Sequence, residues 1–431
     1  MSSTNPLTRA VQLAARVEPR ELTAVSAAFF LYFFVLGSYF AVRPVRETVA
    51  TILGGDVVAD LWLYTAIFSI ALVPVYGWLV AKVRRAILLP AIYGSVAAIL
   101  IIIGVSLGDQ ALDRTVGASF YVWISVLNLL LVSVMWSFLL ELFNREQTKR
   151  LFGLIAAGGT AGALVGPATT RIFVGAIGDS GVLFIGAAGF VGAIACQLIL
   201  MRVWRPSTAA DDAGSTPDAG SLNRGLGGNP FAGIFLVLKS PYLIGIAVFV
   251  ALASLASTIL YFEQLRIVEA AFPDRTERTE VFATIDFVVQ SLTILTQLFL
   301  TGRIATRLGV RYLLIILPLV MIGGFLLLAA FNTFAALVII FVGRRWGEYA
   351  LIRPGREMLF SIFDKETKYK AKNFIDVPVY RAADYVGAQG KTAIDAVTAS
   401  PTLSLFIGAV MAGVWATLGW RLGKRQDQLK T

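Results

Sequence analysis

The chain has 431 residues, 57% hydrophobic and 15% charged, with a single cysteine, no histidine and a formal net charge of +10. This balance excludes an ordinary soluble domain and points to a polytopic membrane protein. With Cys196 alone and histidine absent, disulfide frameworks, zinc clusters and imidazole acid–base chemistry drop out, so neither an enzyme nor a cofactor is expected.

Residues 1–21 carry Arg9, Arg16 and Arg20 with no small-residue cleavage site, and read as a retained cytoplasmic segment. Apolar runs able to cross ~30 Å of hydrocarbon come next. In the first half, residues 22–204, spans 1 to 6 are Leu22–Val42, Val57–Ala81, Ala86–Leu107, Ala118–Phe143, Leu151–Ile177 and Val182–Val203. Residues 205–240 form a Pro/Gly/Ser-rich cytoplasmic linker ending in the apolar stretch Phe231–Leu238, expected as an interfacial helix. In the second half, residues 241–423, spans 7 to 12 are Tyr242–Phe262, Glu280–Gly302, Tyr312–Phe331, Ala335–Ile362, Asn373–Val397 and Leu403–Gly423, before a tail at 424–431.

Lysines and arginines gather in the N-terminus, the even-numbered loops and the tail, which sets both termini in the cytoplasm of a multi-pass protein of the inner (plasma) membrane. The positive charge is read as a solvated inner face near anionic lipid rather than a nucleic-acid surface. No G-x-x-x-x-G-K-[ST] phosphate loop is present, which argues against an ATP-hydrolysing pump.

The halves repeat. A shift of 220 residues sets Ser38–Arg46 on Thr258–Arg266, and Phe143, Asn144, Arg145 and Glu146 on Phe363, Asp364, Lys365 and Glu366. A shift of 225 sets Gly77 and Lys82 beside Gly302 and Arg307. Two six-helix halves joined by a long linker describe the all-α major facilitator fold with twelve transmembrane helices.

The sequence Arg-Pro-x-Arg-Glu occurs twice, at Arg43–Glu47 and Arg353–Glu357. Ionised side chains cost ~2.5–3.5 kcal/mol each at membrane depth, so these copies mark candidate binding residues. Helical spacing puts Arg345, Glu348, Tyr349, Ile352, Arg353 and Arg356 on one face of span 10, and Tyr39, Arg43 and Arg46 on one face of span 1. In span 11 it aligns Asp376, Tyr380, Asp384, Lys391 and Asp395, the last two spaced for an intrahelical pair. Several guanidinium groups in one cavity suit a multiply charged anion. The alternative is internal salt bridging, in which Glu47, Glu141, Glu263, Glu348 and Glu357 neutralise the arginines. Pro44 and Pro354 either expose carbonyls, act as hinges or, for Pro44, end the helix. Gly158, Gly162 and Gly166 recur every four residues, as in close helix packing.

Trp136, Phe138, Glu146, Lys149 and Arg150 with Leu151–Leu154, and then Arg356, Glu357, Met358, Asp364, Thr367, Lys368, Lys370, Lys372, Ile375 and Asp376, resemble motifs of the nucleotide translocases of plastids and obligate intracellular bacteria. Arg43 and Arg46 resemble that family's basic pair at the end of span 1, and Phe272-Pro273 its Phe-Pro after span 7. The resemblance implies a major facilitator-type antiporter exchanging ATP for ADP or a related phosphorylated anion. Arg46 and Arg356 replace family lysines, and Tyr261 stands at an acidic position, with Glu263 two residues on.

The expected substrate contacts are Arg43, Arg46, Arg266, Arg345, Arg353 and Arg356, with Tyr39 or Tyr349 stacking on a base. Glu47, Glu141, Glu263, Glu348, Glu357, Asp376 and Asp384 balance charge or gate, while Lys149, Arg150, Lys368, Lys370 and Lys372 draw the anion to the cytoplasmic mouth. Since the repeat pairs span 1 with span 7 and span 10 with span 4, the two Arg-Pro copies belong to first helices of different three-helix units and make a candidate two-sided clamp. The partners expected are a small anionic substrate and the bilayer, for a monomer. Rival readings are a proton- or phosphate-coupled organic anion carrier and a transport-inactive membrane sensor or scaffold.

Overall fold

The computed structural model describes residues 17–107, 113–204, 232–307, 309–398 and 401–428. Most of the linker, the first 16 residues and the last three lie outside them. Among the described residues there are no strands, and nine helices are long and apolar enough to span a membrane by length and composition. One of the nine, Arg145–Val203, contains two spans divided at Gly178, whose φ of 64° is a left-handed conformation that side chains resist. Spans 10 and 11 escape the apolar criterion because of their charges, yet run as helix through Phe334–Ile362 and Lys365–Thr398. Twelve spans result. The end of the linker forms the short helix Ala232–Lys239, as its apolar pattern anticipates.

Polar residues at the helix starts explain part of the repeat. Asn144 caps span 5 through a reciprocal bond with Gln147, and Asp364 caps span 11 by accepting from the Thr367 backbone N–H. Both positions need a short acceptor side chain to satisfy orphan N–H groups, so the two halves keep one there. Asp113 and Asp274 do the same for spans 4 and 8.

Span 1 does not end at Val42: the helix continues through Pro44 to Leu53, placing Arg43, Arg46 and Glu47 within it. Span 10 also survives its proline. Pro354 lacks the N–H that would serve the carbonyls one turn back, and the helix widens into a π-turn at Glu348–Ile352. The released carbonyls find donors on span 8: the Gln297 amide bonds the Tyr349 carbonyl at 3.0 Å and the Thr301 hydroxyl bonds the Ala350 carbonyl at 2.8 Å. Span 8 carries its own π-turn at Gln297–Thr301, which sets these two donors.

The chain folds into two compact units. The first takes span 1 through Arg46, span 2 from Leu72, span 3, span 4 from Trp123, and spans 5 and 6. The second takes residues 47–71 and 117–122 together with spans 7–12. In the first unit, a Cβ on Gly158, Gly162 or Gly166 would stand only 2.2–2.4 Å from the carbonyl oxygens of Phe29, Phe33 and Gly37. The four-residue glycine repeat is therefore the seam along which span 5 meets span 1, and the packing reading of those glycines holds. Thr170 adds a buried hydrogen bond from its hydroxyl to the Ala41 carbonyl at 2.7 Å. The second unit is centred on Phe249, Phe325, Trp415, Leu314 and Met321.

Gly162→Ala should destabilise the protein by about 1–3 kcal/mol, the usual cost of overpacking, because the obstructing atom is backbone. Gly175→Ala, where nothing lies within 4 Å of the new methyl, should leave thermal stability in detergent unchanged.

Candidate functional site

The second unit concentrates charge on spans 7, 8, 10 and 11, and much of it is paired. Arg345 bonds Asp286 of span 8, both side chains being 3–4% exposed. Glu263, fully buried, accepts from Arg266 at 2.6 Å and lies 2.8 Å from the Lys391 ammonium. Lys391 also bonds Asp395, as the four-residue spacing requires. Arg266 reaches Asn332 at 2.6 Å. These groups are held by their neighbours: Arg345 sits in a buried ion pair, and Arg266, itself 43% exposed, is paired with buried Glu263.

A second set is looser. Glu348 is shared: Arg344 lies 3.3 Å from one of its oxygens and Arg353 3.8 Å from the other. Arg344 also donates to the Ser257 hydroxyl at 3.0 Å. Arg356 stands 3.2 Å from Asp376 of span 11, and Arg381 3.5 Å from Asp384, whose other oxygen accepts from Ser254 at 2.5 Å. Four guanidinium groups thus meet three carboxylates. Arg353 is the most open of them, 55% exposed, and its guanidinium lies over the Tyr349 ring at 4.5 Å. Tyr349 is therefore engaged with Arg353, and its backbone is pinned by Gln297. Stacking on an aromatic face holds a guanidinium plane without occupying its donors.

Glu357 pairs with Lys372 at 2.5 Å, and Lys368 and Lys370 lie half-buried on the same helix, Lys365–Phe374. In the first unit, Arg46 donates to Ser125 of span 4 at 3.1 Å, Arg43 is half-buried, Tyr39 is buried against Phe40, and Glu141 is exposed. The Lys149 side chain lies outside the described residues. Arg150 is bound by Glu21 through two bonds of 2.8 Å. Glu47 belongs to the second unit and accepts from Tyr261 at 2.9 Å.

Sequence reasoning assigned no site role to Asp286, Arg344 or Arg381. A lone aspartate in the middle of span 8 is itself a signal at membrane depth, since such a charge requires a partner. Arg344 falls off the stripe drawn on span 10, because the wider π-turn at Glu348–Ile352 rotates the residues beyond it by less than the regular helical count assumes.

No family model and no curated protein matches the chain. Among solved structures it is similar to the nucleoside transporter NupG, with 15% identity and a TM-score of 0.65 over 94% of this chain and 99% of that one. A bacterial homologue of the iron transporter ferroportin, in an inward-facing state, matches with 12% identity and a TM-score of 0.64 over 93% and 99%. The POT family transporter PepTSo matches with 11% identity and a TM-score of 0.62 over 96% and 99%. The chain has the major facilitator fold.

Two predictions test the pairing. Arg345→Leu should destabilise by about 3–5 kcal/mol by stranding Asp286, and the double change Arg345→Leu/Asp286→Leu should recover most of the loss, as seen when buried ion pairs are replaced by apolar groups; thermal unfolding in detergent measures both. For Glu21, burial pushes the carboxyl pKa up, but the Arg150 bonds, the Glu18 backbone N–H and the Gln147 amide outweigh it and leave it below its ordinary value. A depressed carboxylate stabilises above its unfolded pKa and loses that contribution as pH falls through the folded one. Glu21→Gln should therefore cost stability at pH 7, with the gap from wild type narrowing below the usual glutamate range.

Proposed function

We propose that the protein is a membrane transporter that moves a phosphorylated anion of nucleotide type by exchange, through alternating access. The observation that carries this reading is the looser cluster of spans 10 and 11, in which Arg344, Arg353, Arg356 and Arg381 meet only Glu348, Asp376 and Asp384, with Arg353 left open on the Tyr349 ring. A cluster with balanced charge would serve structure alone. One that leaves a planar, oriented guanidinium exposed at membrane depth needs an anion to complete it. Arg353 and Arg356 hold phosphate oxygens in this reading, with Tyr349 positioning Arg353 rather than stacking on a base. Arg43 and Arg46 are the corresponding candidates in the first unit, and Lys368, Lys370 and Lys372 a basic approach to the path.

The motifs shared with nucleotide translocases support the choice of a nucleotide over other phosphorylated solutes. The major facilitator fold supports transport, and the similarity to NupG is compatible with a nucleoside-bearing substrate. Exchange of ATP for ADP moves about one net charge, so a membrane potential biases its direction by ~2.3 kcal/mol per 100 mV.

Proteoliposomes preloaded with ADP should take up labelled ATP well above empty liposomes, and Arg356→Ala and Arg353→Ala should each weaken nucleotide affinity by about 1–3 kcal/mol, the range for a charged hydrogen bond. No exchange with normally folded protein would refute nucleotide antiport. Uptake driven by a pH gradient without internal ADP would instead support a proton-coupled anion carrier.

A further inference from the structure

The ends of spans 1, 2 and 4 at the odd-numbered connections, residues 47–71 and 117–122, belong to the same compact unit as spans 7–12. What holds them there is a ladder of hydrogen bonds. Tyr261 of span 7 donates to Glu47 at 2.9 Å, the Tyr121 and Tyr261 hydroxyls are 2.9 Å apart, and the Trp62 indole donates to Tyr121 at 2.8 Å. The proton order is fixed by chemistry. Trp62 can only donate and Tyr261 gives its own proton to Glu47, so Tyr121 gives its proton to Tyr261 and the chain runs one way, from indole to carboxyl oxygen. Glu47 is 3% exposed, so this acceptor is shielded from water.

Three further bonds flank the chain. The buried hydroxyls of Thr48 and Thr279 are 2.6 Å apart. Arg278 donates to Thr51 at 3.0 Å while its Nε holds the Phe272 carbonyl at 2.7 Å. Gln389 of span 11 donates to Asp60 of span 2 at 3.2 Å. Trp62 adds apolar contact, its ring lying 5.3 and 5.4 Å from the rings of Tyr261 and Phe262.

This chemistry differs from the glycine seam of spans 1 and 5, where backbones touch and nothing can slide without clash. Hydroxyl, amide and carboxylate partners exchange for water at small net cost, so a surface zipped by them can part and re-form. The helices carrying it are continuous through these segments, so they part as rigid ends.

We propose that the Trp62–Tyr121–Tyr261–Glu47 chain, with Thr48–Thr279, is the latch that closes the odd-connection end of the transporter, and that withdrawal of Tyr261 from Glu47 opens it. The proposal rests on the transporter reading but not on the nature of the substrate.

The test uses the full chain with Cys196→Ser, reconstituted in liposomes. The pair Thr48→Cys/Thr279→Cys should form a disulfide under mild oxidation and stop ATP/ADP exchange, with activity restored by reduction; exchange that continues in fully cross-linked protein overturns the latch. A second arm needs no substrate. Thr48→Cys alone should react slowly with a membrane-impermeant maleimide, and adding Tyr261→Phe, or Tyr121→Phe should the first fold poorly, should raise the labelling rate about tenfold, the population shift expected from losing about one net hydrogen bond of the chain. Unchanged labelling in folded protein overturns the proposal. If labelling responds while the parent protein exchanges no nucleotide, the substrate reading fails and the latch stands.

Discussion

An ionised group in a low-dielectric layer must be paired, hydrated or abandoned, and much of this structure stems from that demand. Spans 7, 8, 10 and 11 could not carry their charges facing lipid. Partners are drawn from neighbouring helices: Asp286 to Arg345, Glu263 to Lys391, Asp376 to Arg356. Each pair fixes the rotation of two helices about their axes, because a slip of one residue swings the charge by about 100° and strands both partners. The ion pairs thereby act as register marks in a bundle whose apolar surfaces would tolerate sliding.

The backbone obeys the same rule. Pro354 frees carbonyls that hydrocarbon cannot solvate, and Gln297 and Thr301 of span 8 supply the missing donors. Span 8 thus serves span 10 twice, through Asp286 for its charge and through the π-turn residues for its main chain. The proline neither ends span 10 nor leaves it open. It widens one turn, and Arg353, directly after that turn, emerges with Tyr349 beneath it.

Much of the architecture was legible in the sequence because apolar length is dictated by bilayer thickness and glycine spacing by backbone contact. The helix count, the break near residue 178, the helix before span 7 and the Lys391–Asp395 pair all obey such local rules. Less legible were the partners. Period 3.6 names which residues share a face, but not which face of another helix they meet, so Glu263 with Lys391 and Arg345 with Asp286 had no signature in spacing. The π-turns defeated the stripe on span 10, since one extra residue in a turn rotates everything beyond it. The extension of span 1 was hidden for another reason: charge and proline together imitate a helix end, and only tertiary partners show that the helix passes through.

The doubled Arg-Pro-x-Arg-Glu illustrates how little a motif fixes by itself. In one copy Arg46 donates to a serine and Glu47 accepts from a tyrosine; in the other Arg356 faces an aspartate and Glu357 a lysine. Each glutamate has a partner outside its own motif. A neutral donor such as Tyr261 stabilises a carboxylate without cancelling its charge, whereas Lys372 cancels it. The Tyr261 contact of the first copy is a hydrogen bond from a neutral donor, while the second copy is tied by charge to the next helix in the chain. Identical letters have been set among different partners, a neutral hydroxyl in one copy and an ammonium in the other, and that difference lies in what the surrounding helices bring to them.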